Sequence, residues 1–134
     1  MSLFRQSLIL FFVFFVGTQV QAESSGGESS PYLNMRPPFV LNVVDNEEVH
    51  HLELSISFIP LDATVAPLIK EHEPAIRHAI VVLISGRQVS EINTTQQKTK
   101  LRDEITQEVN RVLLENAKKE EAIKRTLFTG FLIQ

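Results

Sequence analysis

The side chains able to do chemistry in this 134-residue chain are four histidines, several carboxylate pairs and a small cluster of bases. A metal site needs ligands that converge at short, fixed spacing, such as two histidines one helical turn apart. His50 and His51 are neighbours in an alternating stretch, so a strand would send them to opposite faces. His72 and His78 fall either side of Pro74, which breaks the segment between them. Acid–base work needs two carboxylates that face one another across a cleft. Glu47-Glu48 sits in a turn, Glu71 and Glu73 flank the break at Pro74, and Asp103-Glu104 and Glu108 lie on the outer face of a helix. All of these read as solvated or capping charges. No serine stands in a G-x-S-x-G elbow. Ser85-Gly86-Arg87 has neither the glycine spacing nor the Lys-Ser/Thr of a phosphate loop. The chain has no cysteine, which removes disulfides, thiolate ligands and cysteine nucleophiles. The expectation is a protein without catalytic residues, metal or cofactor. Lys98, Lys100 and Arg102 gather near a helix start and read as a solvated face or a partner contact.

The net charge is −3, and the aromatic residues are nine Phe and Tyr32. A mildly acidic chain lacks the positive surface that neutralises phosphates, so nucleic acid is not an expected partner. The length suits one domain with a modest core.

The elements that would position these residues are legible from periodicity. Phe39–Val44 reads as a strand and Asp45-Asn46-Glu47-Glu48 as a turn. Val49–Ile59 alternates, with Leu52, Leu54, Ile56 and Phe58 facing a core and Glu53, Ser55 and Ser57 opposite. The two strands are close enough to pair as an antiparallel hairpin. Asp62 is placed to cap a helix from Ala63 to about His72. Pro74 fits the first turn of a second helix, with Glu73 at its cap position and Ile76, Ile80, Leu83 and Ile84 on its buried stripe, and Gly86 can end it. The β-branched run Ile80–Ile84 also suits a buried strand, but the proline-started frame and the Ala75–Ala79 spacing favour a helix. Thr94 and Gln97 form a capping box. Leu101, Ile105, Val109, Val112 and Leu113 then mark the 3.6-residue period of a long helix.

A closing strand spans Ile123–Ile133, with Leu127, Thr129, Phe131 and Ile133 on one face and Phe128, Gly130 and Leu132 on the other. Apolar residues on both faces imply cover on both sides or a second subunit. Phe128, Gly130 and Leu132 are therefore the candidate subunit-interface residues, Gly130 allowing a neighbour to approach closely. The fold class is α+β: a two-layer α/β sandwich in which helices pack on one face of a small antiparallel sheet.

Arg5 precedes the apolar run Leu8–Val16, and Val20 and Ala22 occupy the −3 and −1 positions of a cleavage site. Residues 1–22 thus read as a signal peptide or, uncleaved, as a short membrane anchor. The uncharged stretch Gln6–Ala22 would span about 25 Å as a helix, against ~30 Å for the bilayer core. Residues 23–37 read as a flexible Ser/Gly/Pro linker, and residues 38–134 as the folded domain.

Several stretches, in order, resemble one family. They are Pro38-Phe-Val-Leu-Asn-Val-Val44, Leu52-Glu-Leu-Ser-Ile-Ser-Phe-Ile59, Glu73-Pro-Ala-Ile-Arg-His-Ala-Ile-Val-Val-Leu-Ile-Ser85, Leu101-Arg-Asp-Glu-Ile-Thr-Gln-Glu-Val-Asn110 and Leu127-Phe-Thr-Gly-Phe-Leu-Ile-Gln134. The set resembles the flagellar basal body-associated FliL family. The resemblance implies an inner-membrane-associated protein whose periplasmic domain is similar to the stomatin/prohibitin scaffold. It implies no catalytic residue. The expected partners are the flagellar stator complex, the basal body and further copies of the chain in a ring, in support of rotation and swarming. A periplasmic oligomeric scaffold without a flagellar role is the alternative. Gly130 stands where family members often carry a charge.

Overall fold

The computed structural model describes residues 31–134. The signal-peptide or anchor reading of residues 1–22, and most of the linker, lie outside the described residues.

Four strands form one antiparallel sheet: β1 (Leu33–Asn34), β2 (Phe39–Asp45), β3 (Glu48–Pro60) and β4 (Ile123–Ile133). Among the described residues three helices accompany it: α1 (Val65–Glu71), α2 (Glu73–Ile84) and α3 (Thr95–Ala117). A 3-10 turn at Val89–Glu91 precedes α3. β3 is the central strand. Along one of its sides β2 pairs with the first half and β1 with part of the second, while β4 takes the other side from Leu52 to Pro60.

The β2–β3 hairpin closes with Asp45 opposite Glu48, leaving a two-residue loop. Asn46 and Glu47 both have positive φ, +46° and +72°, the handedness that matches the twist of paired strands. β3 alternates as its sequence demands. Leu52, Leu54, Ile56 and Phe58 are buried and Glu53 is exposed. Full burial of such a side chain contributes roughly 1.5–3 kcal/mol.

These residues form one core with Val65 and Ile69 of α1, Ile76, Ala79, Ile80 and Ile84 of α2, and the Leu101–Leu113 stripe of α3. The helices therefore cover a single face of the sheet. In α3 Thr94 accepts from the Gln97 N–H at 3.3 Å and the Gln97 side chain accepts from the Thr94 N–H at 2.9 Å, the expected capping box. Ile80–Ile84 is helical, which leaves Val81 and Val82 exposed on the outer face of α2. Tertiary packing of the Ile76–Ile80–Ile84 stripe outweighs the β propensity of that run.

Five expectations need correction. The stretch read as linker through residue 37 contains β1, and Met35 is in the core, its N–H donating to the Ile56 carbonyl at 2.9 Å. A strand this short carries no periodicity to read. Asp62 does not cap α1. The cap residue is Thr64, and Asp62, two residues before that cap, accepts from the Thr64 N–H at 2.8 Å and from its hydroxyl. His72, not Glu73, is the cap residue of α2. Leu83 is half-buried, while Ala79 takes a place in the core stripe. The fifth concerns β4. Ser55 faces Gly130, but Ile56 faces Phe128, so Thr129 is an extra residue in β4 and the ladder shifts there. A bulge of one residue reverses the facing of everything beyond it. Phe128 joins Phe131 and Ile133 on the helix side, packed against the core, and Leu127 joins Gly130 and Leu132 on the open side.

Candidate interaction surface

The open face of the sheet is built from the residues that alternate with the core. Paired positions share a face, so the registers place Val40, Glu53 and Leu132 in one row. Asn42 and His51 form the next row, and Val44 and Val49 the one beyond. Val40 is 70% exposed, Val49 63% and Leu132 51%. Between them His51 Nδ1 lies 3.0 Å from Asn42 Oδ1. At the other end the hydroxyl of the buried Ser57 donates to Oδ1 of the exposed Asn34 at 2.6 Å.

Gly130 has a local reason. A Cβ built there would lie 3.1 Å from Ser55 Oγ and 3.3 Å from Ser55 Cβ. The close neighbour is thus the adjacent strand of the same sheet. Of the candidate interface residues, Gly130 and Leu132 are on the open face, and Phe128 is half-buried on the other.

The other side of β4 meets α3, whose flank carries a polar residue at every fourth position. Asn110 Oδ1 accepts from the N–H of Ala122 at 3.0 Å and of Ile123 at 2.9 Å, and its Nδ2 donates to the Ile123 carbonyl at 3.1 Å. Thr106 Oγ1 accepts from the Thr126 N–H at 3.0 Å. Lys98 Nζ stands 4.3 Å from the centroid of the Phe131 ring, within the range of a cation–π contact. Phe131 in turn tilts against Phe128, with ring centroids 5.7 Å apart. The sequence reading singled out Lys98 and Arg102 but missed Thr106 and Asn110. Their signal was the spacing 98, 102, 106, 110 beside the apolar stripe, which marks a flank that grazes a neighbour.

The remaining polar candidates are dispersed. His50 is half-buried, His51 and His78 are exposed, and His72 is half-buried at the start of α2, its side chain making no cap hydrogen bond. Among the described residues no group of three or more His, Cys, Asp or Glu side chains could hold a metal ion. Arg77 pairs with Glu73 at 2.9 Å within α2, while Arg87 to Glu104 at 2.6 Å and Lys119 to Asp62 at 2.8 Å link segments far apart in the chain. Arg77 also donates to the Pro37 carbonyl at 2.6 Å and stacks over Phe39 at 4.7 Å, tying the segment before β2 to α2. Glu108 is held below its usual carboxylate range by its hydrogen bond to Arg111, and that guanidinium is held firmly protonated by Glu108 and Glu115. These are partners along one helix face, not a convergent site. Among the described residues no helix is long and apolar enough to cross a membrane.

Comparison with known proteins gives the family of the chain. The chain is 31% identical over 98 residues to a protein named "Flagellar protein FliL" from Aquifex aeolicus (strain VF5). That alignment takes in 73% of this chain and 58% of the relative, so the chain spans little more than half the length of the protein it matches. The family described as "Flagellar basal body-associated protein FliL" matches residues 32–134, from Tyr32 beside β1 to the end of β4. The whole described domain is thus the matched unit, and the chain belongs to the flagellar basal body-associated FliL family.

Proposed function

We propose that the chain is a non-enzymatic periplasmic scaffold of the flagellar basal body, which supports the stator during rotation and swarming. Copies of it assemble as a ring through a domain of stomatin/prohibitin type. The observation that carries this reading is the open sheet face. One side of the sheet is filled by three helices, while the other presents Val40, Val49 and Leu132 to solvent around Glu53 and His51. Exposed apolar residues gathered on one face favour association over chemistry. Leu127 and Leu132, with Gly130 between them, are the β4 contribution to the subunit contact. The apolar run Leu8–Val16 supports a place at the inner membrane, with the domain exported.

The test is a chromosomal deletion scored for spreading on soft agar, together with localisation of a tagged copy. Reduced spreading, with the tagged protein in foci at flagellar bases, is the expected result. Normal spreading with a diffuse envelope signal overturns the flagellar role.

A further inference from the structure

The outer edge of β4 has two halves that differ in how their backbone is satisfied. From Ala122 to Thr126 it is closed by the Asn110 and Thr106 side chains. Beyond the bulge the edge is open. His51 and Gln134 exchange N–H···O bonds of 2.8 and 2.9 Å. Antiparallel alternation then turns Leu132 and Gly130 toward β3, and turns the N–H and C=O groups of Ile133 and Phe131 outward. Among the described residues nothing bonds to those outward groups.

The open half is flanked by positive charge. On the same flank of α3, one and two turns before Thr106, stand Arg102 and Lys98. Lys98 lies over Phe131, and Arg102 donates only to Thr99 Oγ1 at 2.8 Å. Neither is in an ion pair with a described residue, whereas nearby Lys100 reaches Glu104 at 3.9 Å. β4 itself carries Lys124 and Arg125 and no acidic residue. A groove of about 320 Å³ runs here, lined by Val89, Asn93, Lys98, Phe131, Leu132 and Ile133. This basic strip belongs to a chain whose net charge is −3.

We propose that the β4 edge at Phe131–Ile133 takes up an additional strand, supplied by an extended peptide segment of a partner in which acidic and apolar side chains alternate. An unpaired edge offers main-chain hydrogen bonds to any extended segment. The side chains beside it select which one. Residues of the added strand on the helix side meet Lys98 and Arg102, which favour carboxylates. Those on the other side lie beside Leu132, which favours apolar groups. The bulge at Thr129 limits continuous pairing to the end of the strand. This edge adjoins the open sheet face, sharing Leu132 with it, and does not depend on the flagellar role proposed above.

The probe is a fluorescein-labelled peptide of alternating valine and glutamate, added to the full chain in detergent micelles at low ionic strength. Anisotropy should report saturable binding, and the Phe131 and Ile133 amides should become protected from hydrogen exchange. The valine–lysine counterpart should not bind. Lys98→Glu combined with Arg102→Glu should weaken binding about tenfold, as expected when two partly exposed attractions become repulsions. Lys100→Glu, on the other flank, is the control and should change little. N-methylation of alternate peptide amides keeps every charge but removes the donors, and should abolish binding. Equal binding of the N-methylated or the lysine peptide overturns the proposal. So does concentration-dependent protection of the Phe131 amide without peptide, which would put a second copy of the chain on this edge.

Discussion

Thr106 on α3 and Thr126 on β4 hold their hydroxyl oxygens 2.9 Å apart, and the Thr106 hydroxyl also accepts the Thr126 backbone N–H at 3.0 Å. Thr126 is fully buried, so nothing else can take these bonds. Thr106→Val keeps the shape and removes the acceptor, leaving a buried N–H and hydroxyl unpaired. The expected loss of stability is about 1–3 kcal/mol, measured by urea unfolding. Thr106→Ser should retain most of it. Equal losses for the two variants would mean that the methyl group, not the hydroxyl, holds the helix to the strand.

The Ser55–Gly130 contact predicts a coupled pair. Gly130→Val brings a branched Cβ against Ser55, on the strand next to it, and should cost about 1–3 kcal/mol by overpacking. In the Ser55→Gly background most of that cost should vanish. A double-mutant cycle reads the coupling directly, and a coupling near zero would contradict the register given for β3 and β4.

The facing of β4 separates two apolar residues that look alike in sequence. Leu132 is half-exposed on the open face, and Phe128 packs against the core. Leu132→Asp should therefore lower self-association in sedimentation while changing the thermal midpoint little. Phe128→Ser should do the reverse, losing stability through lost burial. If Phe128→Ser lowers self-association at unchanged stability, the proposed subunit contact lies on the helix side.

Asp62 offers a pH signature. Its hydrogen bonds from Lys119 and Thr64 lower its carboxyl from 3.8 to about 2. A depressed folded-state value means that the carboxylate stabilises the fold above the unfolded value and that this contribution fades as pH falls toward the folded one. The stability gap between the native chain and Asp62→Asn should be full above about pH 4 and close by about pH 2. The group is exposed, so the gap is small and should shrink further in salt. A gap that stays constant over this range would show that the Lys119–Asp62 pair is not formed in solution.

Much of this domain is local enough to be read along the chain. The Thr94–Gln97 box and the Leu101–Leu113 stripe specify α3, because capping and period are properties of consecutive residues. The alternation of Leu52 to Phe58 identifies the core face of β3 for the same reason. The absence of cysteine and of any spaced ligand motif was equally plain. Three-dimensional packing decided the rest. Leu33–Asn34 becomes a strand only because β3 has a free length of edge beyond β2. The spacing of Thr106 and Asn110 marks a flank of α3, but that this flank bonds to the rim of β4 is decided by packing. Above all, Phe128 and Leu132 end on opposite faces because one extra residue, Thr129, is absorbed where β4 pairs with β3. Side-chain facing in a strand depends on parity, and a bulge changes parity through a partner far away in sequence.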